Sequence, residues 1–201
     1  MDIGCNVISM SFGVVESLDI HDDLAAIDQA IEEADSAGIL MFAAASNHGG
    51  NASRTYPASD RRVVCVHALD GHGYLAGGIN PSVEHADDNF GTLGIAIRCS
   101  WKKKTVFKSG TSFATPIAAG IAANILGYMD YSLERGELDQ RRHKNIRRGH
   151  GLRQLFDKFM SKELARCGYR FVAPWLFWKL EHDVADQYIW SRLKYEYNVF
   201  G

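Results

Sequence analysis

The sequence predicts an α/β fold, a three-layer parallel sheet with helices on both faces. Three observations predict it. An apolar strand and an amphipathic helix are followed by a second apolar strand, in the order of a right-handed strand–helix–strand unit. That second run, Ile39 to Ala45, is apolar at every position, which suits a strand covered on both sides. The segment after Gly110 is apolar around most of a helix, as a helix buried against a sheet must be.

Taken in order, Cys5 to Gly13 reads as a buried strand with no lead-in, the pattern expected of a chain whose preceding part is missing. Leu24, Ile27, Ile31 and Ala34 form one helical stripe, opened by His21-Asp22-Asp23 and stopped by Gly38. The apolar run from Ile39 ends at Ser46-Asn47-His48-Gly49-Gly50. A loop over Asn51 to Asp60 leads to a strand at Val63 to Val66, and loops follow over Gly71 to Asn80 and Pro81 to Asn89. Leu93 to Ile97 is expected to be a further strand, and Lys102-Lys103-Lys104 an exposed loop tip. The second helix opens at Gly110-Thr111-Ser112 and runs through Ile117, Ile121 and Leu126. Pro116 falls within about a turn of its start, where a missing N–H costs little.

Residues 1–130 therefore read as one α/β unit, 131–150 as a charged linker, and 151–201 as a helical, aromatic-rich extension. Within the extension, Leu152, Leu155, Phe156 and Phe159 give an amphipathic helix, and Trp175, Trp178 and Trp190 suit packing anchors. The chain is 46% hydrophobic and 23% charged, so a globular core is expected and wholesale disorder is not. A net charge of −2 gives no general attraction to nucleic acid or an anionic membrane. The basic run Arg141-Arg142-His143-Lys144 with Arg147-Arg148 reads as a solvated surface rather than a nucleic-acid site. Thr115 to Gly127, the longest apolar stretch, is too short to span a bilayer. Cys5, Cys65, Cys99 and Cys167 lie far apart, with no C-x-x-C pair and no metal-ligand spacing, so reduced cysteines and no metal site are expected. With no basic segment leading into an apolar one at the start, a cytoplasmic setting is the expectation.

The strongest chemical signal is Gly110-Thr111-Ser112-Phe113-Ala114-Thr115-Pro116. A serine in the first turn of a buried helix has a free backbone N–H, and the positive helix end faces any oxyanion formed there. Glycine at 110 lets a substrate carbonyl approach the backbone. The combination suits nucleophilic attack on an acyl group.

That segment resembles the nucleophile motif of the subtilase family throughout its length. Ser9-Met10-Ser11-Phe12-Gly13 is similar to the family's substrate-flanking strand. Ala43-Ala44-Ala45-Ser46-Asn47-His48-Gly49 resembles its oxyanion loop, and Tyr56-Pro57-Ala58 with Val63 to Val66 resembles the loop and strand that follow. The matches keep family order over roughly residues 3–127. The resemblance implies a subtilisin-like fold, incomplete at its N-terminus, and a serine endopeptidase acting through an acyl-enzyme on polypeptides. It makes Ser112 the nucleophile and Asn47 the oxyanion-hole donor. It gives Ser11, Phe12 and Gly13 to substrate pairing and Ala43, Ala44 and Ala45 to the walls of a roomy apolar pocket, with Gly110 and Thr111 beside the substrate. No cofactor is implied. Many subtilases hold calcium, but no ligands for it are assignable in this sequence.

Three departures stand out. Ser46 replaces the glycine before the oxyanion asparagine, and no Ala-Pro-Gly segment lies between Gly94 and Trp101. The catalytic Asp and His of a Ser-His-Asp triad, which in this family precede the serine, are absent, and the His would lie about 160 residues upstream of it. His48 is better read as a solvent-facing loop residue than as a surrogate base, and Asp35-Ser36 belongs to a charged helix face. Two readings follow: an endopeptidase whose N-terminal half is supplied elsewhere, or a pseudoprotease that binds peptides without cleaving them.

Overall fold

The computed structural model describes residues 4–15, 21–75, 78–81, 89–163 and 168–178. Its core is a six-stranded sheet built from strands β1 (Val7–Met10), β2 (Leu40–Ala44), β3 (Val64–Leu69) and β4 (Phe90–Leu93), followed by β8 (Arg170–Val172) and β7 (Ser161–Glu163). The first four strands and β8 are mutually parallel, and β7 runs antiparallel to β8. Every residue of β2 and β3 is buried, the pattern expected of central strands covered on both sides.

Alternation along the strands explains the layers. Leu40 and Phe42 of β2 and Val64 and Val66 of β3 face helix α2 (Thr111–Glu134), meeting Ala118, Ala122, Ile125 and Met129. Met41, Ala43 and Cys65 point to the opposite side, where Ile27, Ile31 and Ala34 of helix α1 (His21–Ser36) cover them. The stripe read from the sequence thus packs as expected. By length and composition the 24-residue α2 is apolar enough to cross a bilayer, further than the shorter run the sequence marks out. Here its apolar side is spent on the sheet.

Several expectations change. Leu93 to Ile97 is not one strand: β4 ends at Leu93, the chain turns, and Ile97 opens β5 (Ile97–Trp101), which pairs antiparallel with β6 (Lys104–Lys108) in a separate hairpin. The triple lysine lies at the hairpin tip. The segment read as a linker is helical, with α3 (Gln140–Ile146) capped by the Asp139 side chain on the Arg142 N–H, then α4 (Gly149–Leu155). Part of its charge is paired: His143 Nε2 lies 2.5 Å from Asp130, and Arg147 reaches Asp130 at 2.8 Å and Asn6 at 2.8 Å, while Arg141, Lys144 and Arg148 are exposed as expected; in α4, Arg153 donates to the Val63 carbonyl.

The C-terminal extension is also more than a helical tail. After a π-helical turn at Phe156–Met160, β7 and β8 complete the sheet, and α5 (Trp175–Trp178) follows. Leu152, Leu155, Phe156 and Met160 belong to the same core cluster as Phe42, Phe90 and α2. The Phe156 ring sits 6.5 Å from Phe42 and 5.7 Å from Phe90. Apolar surface on this side of the sheet is what draws the extension in. The Phe159 and Trp178 side chains, Cys167 and Trp190 lie outside the described residues. Of the other cysteines, Cys65 is buried, Cys99 partly so, and Cys5 exposed rather than in the core; none of the three forms a disulfide among the described residues.

Candidate active site

Parallel strands end on one side of the sheet, and the loops that leave those ends converge on the first turn of α2. Three successive residues of that turn each meet a different strand end. Gly110 donates its N–H to the Gly94 carbonyl after β4 at 2.8 Å. Thr111 donates its N–H to Asn47 Oδ1 after β2 at 2.9 Å, and its hydroxyl to the same oxygen at 3.1 Å. Ser112 meets Ser11 after β1: Ser112 Oγ donates to the Ser11 carbonyl at 3.2 Å, and Ser11 Oγ donates to the Ser112 carbonyl at 2.9 Å.

Two local features explain this convergence. Gly110 has φ 151°, a region that side chains avoid, and a Cβ there would come within 3.2 Å of the Asn47 amide. Pro116 lies further into α2 than the sequence reading placed it, and it has no N–H for the carbonyl four residues back, which is that of Ser112. Ser11 Oγ supplies the missing donor.

The bonds to Thr111 hold the Asn47 amide by its oxygen, so its Nδ2 hydrogens are turned away from Thr111. Neither Nδ2 nor the Ser112 N–H has a partner among the described residues. Ser46, one residue before, is buried at φ 146°, a backbone setting that belongs to glycine. Its hydroxyl accepts the His48 N–H at 3.2 Å, which closes the loop.

Ser11, Phe12 and Gly13, which the resemblance assigns to substrate pairing, are exposed, Phe12 55% so. Val14 exchanges backbone hydrogen bonds with Tyr56, at 2.8 and 2.9 Å. Ala43, Ala44 and Ala45 are buried, and Ala43 and Ala45 pack into the α1 side of the core. Sequence reasoning did not single out Thr55. Its buried side chain touches Gly13 on one side and lies 3.4 Å from the Ala45 carbonyl on the other, so the space between the two walls is partly filled. A Cβ on Gly13 would overlap its hydroxyl, so the glycine is the only signal that a side chain stands there.

No histidine or carboxylate is bonded to Ser112 among the described residues. His48 is exposed, as expected. His67 is fully buried with Nδ1 against the Phe90 carbonyl; burial pushes its pKa down to about 3, and the charge of Arg54 adds to this. No cluster of His, Cys, Asp or Glu suited to a metal occurs among the described residues.

A family model described as the subtilase family matches residues 1–153. Proteinase T of Parengyodontium album is 33% identical over 147 residues, covering 66% of this chain and 45% of that protein. Subtilisin-like protease 2 of Pseudogymnoascus destructans is 33% identical over 134 residues, covering 62% of this chain and 29% of its own length. This chain thus spans less than half of either relative. Among solved structures, the self-cleaved protease domain of PatA superposes with a TM-score of 0.65 at 26% identity, over 86% of this chain and 60% of that one. The prenylagaramide maturation protease PagA superposes at 0.64 with 23% identity, over 86% and 61%, a likeness of fold.

Proposed function

The chain belongs to the subtilase family, whose members are serine endopeptidases, and from that premise we propose that it carries the nucleophile and oxyanion hole of a peptide-bond hydrolase. The observation that carries the reading is the meeting of the Asn47 loop with the first turn of α2 beside Ser112, with a donor on each residue that has no partner among the described residues. Ser112 Oγ attacks the scissile carbonyl, and its proton passes to a base contributed from outside the described residues. The carbonyl oxygen becomes an oxyanion held by Asn47 Nδ2 and the Ser112 N–H, with the positive end of α2 behind them. The leaving amine takes the proton, and water then releases the acyl group.

Ser11 to Gly13 pair with the substrate by strand addition. The N–H and C=O of Val14 face Tyr56, and alternation along an extended segment turns those of Gly13 to the open side. A partner that completes the site has a place to dock. Strand β1 is an edge of the sheet, and Pro116, Gly120, Asn124, Gly127 and Tyr131 line an exposed face of α2. We propose the family's N-terminal half as that partner, bringing the histidine and aspartate.

A fluorophosphonate probe tests the reading on the native protein that carries this chain, purified from its source. Labelling that Ser112→Ala abolishes is expected. Absence of Ser112-dependent labelling in that protein overturns the hydrolase and favours a peptide-binding pseudoprotease. The bond from Ser112 Oγ to a backbone carbonyl, rather than to a base, is what keeps this second reading in play.

A further inference from the structure

The β5–β6 hairpin carries a charge pattern unlike the rest of the chain. Arg98, Lys102, Lys103, Lys104 and Lys108 fall within eleven residues that contain no acid, in a protein of net charge −2. None of the five has an ion-pair partner among the described residues. Trp101 and Phe107 stand beside them with 64% and 65% of their surface exposed. Paired register puts Trp101 opposite Lys104 on one face and Arg98 opposite Phe107 on the other, so each face of the ribbon pairs an aromatic ring with a cation.

The tip sharpens the point. Lys102 and Lys103 form a two-residue turn with φ 47° and 62°, the left-handed settings that hairpins ordinarily give to Asn-Gly. Turn formation therefore does not explain the lysines. The hairpin is also a sheet of only two strands, with both outer edges unpaired among the described residues, and such ribbons are marginal alone.

Its base is tied to the nucleophile turn. The Ala96 N–H donates to Ser109 Oγ at 2.9 Å, Gly110 bonds to Gly94, and Lys108 precedes Ser112 by four residues. We propose that the hairpin is a recognition arm for an acidic polypeptide segment, which adds as a strand to the ribbon edge and places its carboxylates against the lysines. Apolar side chains of the segment lie on Trp101 and Phe107. The inference deepens the proposed function by giving the substrate an acidic character. Polypeptide is the matching polyanion because the family acts on polypeptides and an open strand edge recognises a peptide backbone.

Fluorescence anisotropy of short labelled peptides tests it on this chain directly. One peptide alternates Glu or Asp with Leu and Tyr; its counterpart carries Lys in place of the acids. The acidic peptide is expected to bind at least about tenfold tighter, and to weaken as salt rises through about 0.5 M. The triple variant Lys102→Glu, Lys103→Glu, Lys104→Glu is expected to remove about tenfold or more of that affinity. Trp101→Ala with Phe107→Ala weakens it too, while Lys144→Glu on α3 leaves it unchanged. Equal affinity for the two peptides overturns the proposal, as does insensitivity to the triple reversal. Tighter binding to phosphatidylserine vesicles or duplex DNA than to the acidic peptide also overturns it. This assay reads binding at the hairpin and the probe reads acylation of Ser112, so the two results stand or fall separately.

Discussion

Ser11 and Ser112, 101 positions apart in sequence, exchange hydroxyl-to-carbonyl hydrogen bonds. One of the two bonds answers a need created inside the helix, because Pro116 leaves the Ser112 carbonyl without its helical donor. The other places the Ser112 hydroxyl proton on the Ser11 backbone carbonyl rather than on a base. This pair of bonds thus fastens the segment after β1 to the first turn of α2.

Ser11→Ala removes the donor to the Ser112 carbonyl while leaving the reverse bond in place. A loss of about 1 kcal/mol is expected from urea unfolding, the usual net worth of such a bond. An unchanged urea midpoint would show that water serves that carbonyl equally well.

Asn47 has two duties that substitution separates. Its oxygen anchors Thr111, and its Nδ2 is proposed to hold the oxyanion. Asn47→Asp keeps the acceptor, beside a helix N-terminus that favours negative charge, and removes the donor. Stability should stay within about 0.5 kcal/mol of the parent while kcat of the complete enzyme falls by about 10²–10³. Asn47→Ala should lose both. A drop in stability without one in kcat for either variant would reassign Asn47 to structure alone.

Ser46 is the departure from the family pattern with a measurable consequence. At φ 146° it holds a backbone setting that costs a side chain about 1–3 kcal/mol. Ser46→Gly relieves this at the loss of the acceptor for the His48 N–H, a contact worth about 0.5–1 kcal/mol. After the extra freedom glycine gives the unfolded chain, about 0.4–1 kcal/mol, a net gain of up to about 1 kcal/mol is expected in the unfolding free energy, read as a higher urea midpoint.

Acid should unfold the protein in part through Asp60. Burial alone would raise its pKa, but the Arg62 side chain and backbone N–H bond its carboxylate and hold the pKa below the ordinary 3.8. Arg62 also binds Asp28 and Glu32 of α1, so the loop before β3 is pinned to that helix. A depressed folded-state pKa contributes stability that is full above about pH 4 and lost as pH falls through the folded value. Asp130, bonded to His143 and Arg147, adds in the same direction. Asp60→Asn should therefore lower stability at pH 7 and flatten its decline below about pH 4. Parallel slopes for parent and variant would contradict this.

Phe156→Ala tests whether the C-terminal extension belongs to the core. The ring is fully buried between Phe42 and Phe90, and its removal should cost about 3–5 kcal/mol in one cooperative transition. A separate low-energy transition, with the rest unaffected, would restore the boundary near residue 130.

What the sequence determined by itself was the strand–helix–strand order up to β3, the helix after Gly110, and the residue types of the turn that opens it. Periodicity marks a helix as surely for Ile27, Ile31 and Ala34 as the unbroken apolar run from Ile39 marks a central strand, because each pattern has one burial solution. Gly110 to Pro116 is legible for a similar reason: its glycine and proline are backbone requirements written into residue type. Only the tertiary structure decided what lies between distant segments. It put Thr55 against Gly13, gave Ser11 to the carbonyl freed by Pro116, and drew Phe156 and β8 into a sheet that charge near residue 140 made look finished. The physical reason is that such contacts join groups far apart along the chain, and no local pattern records which partner each will meet.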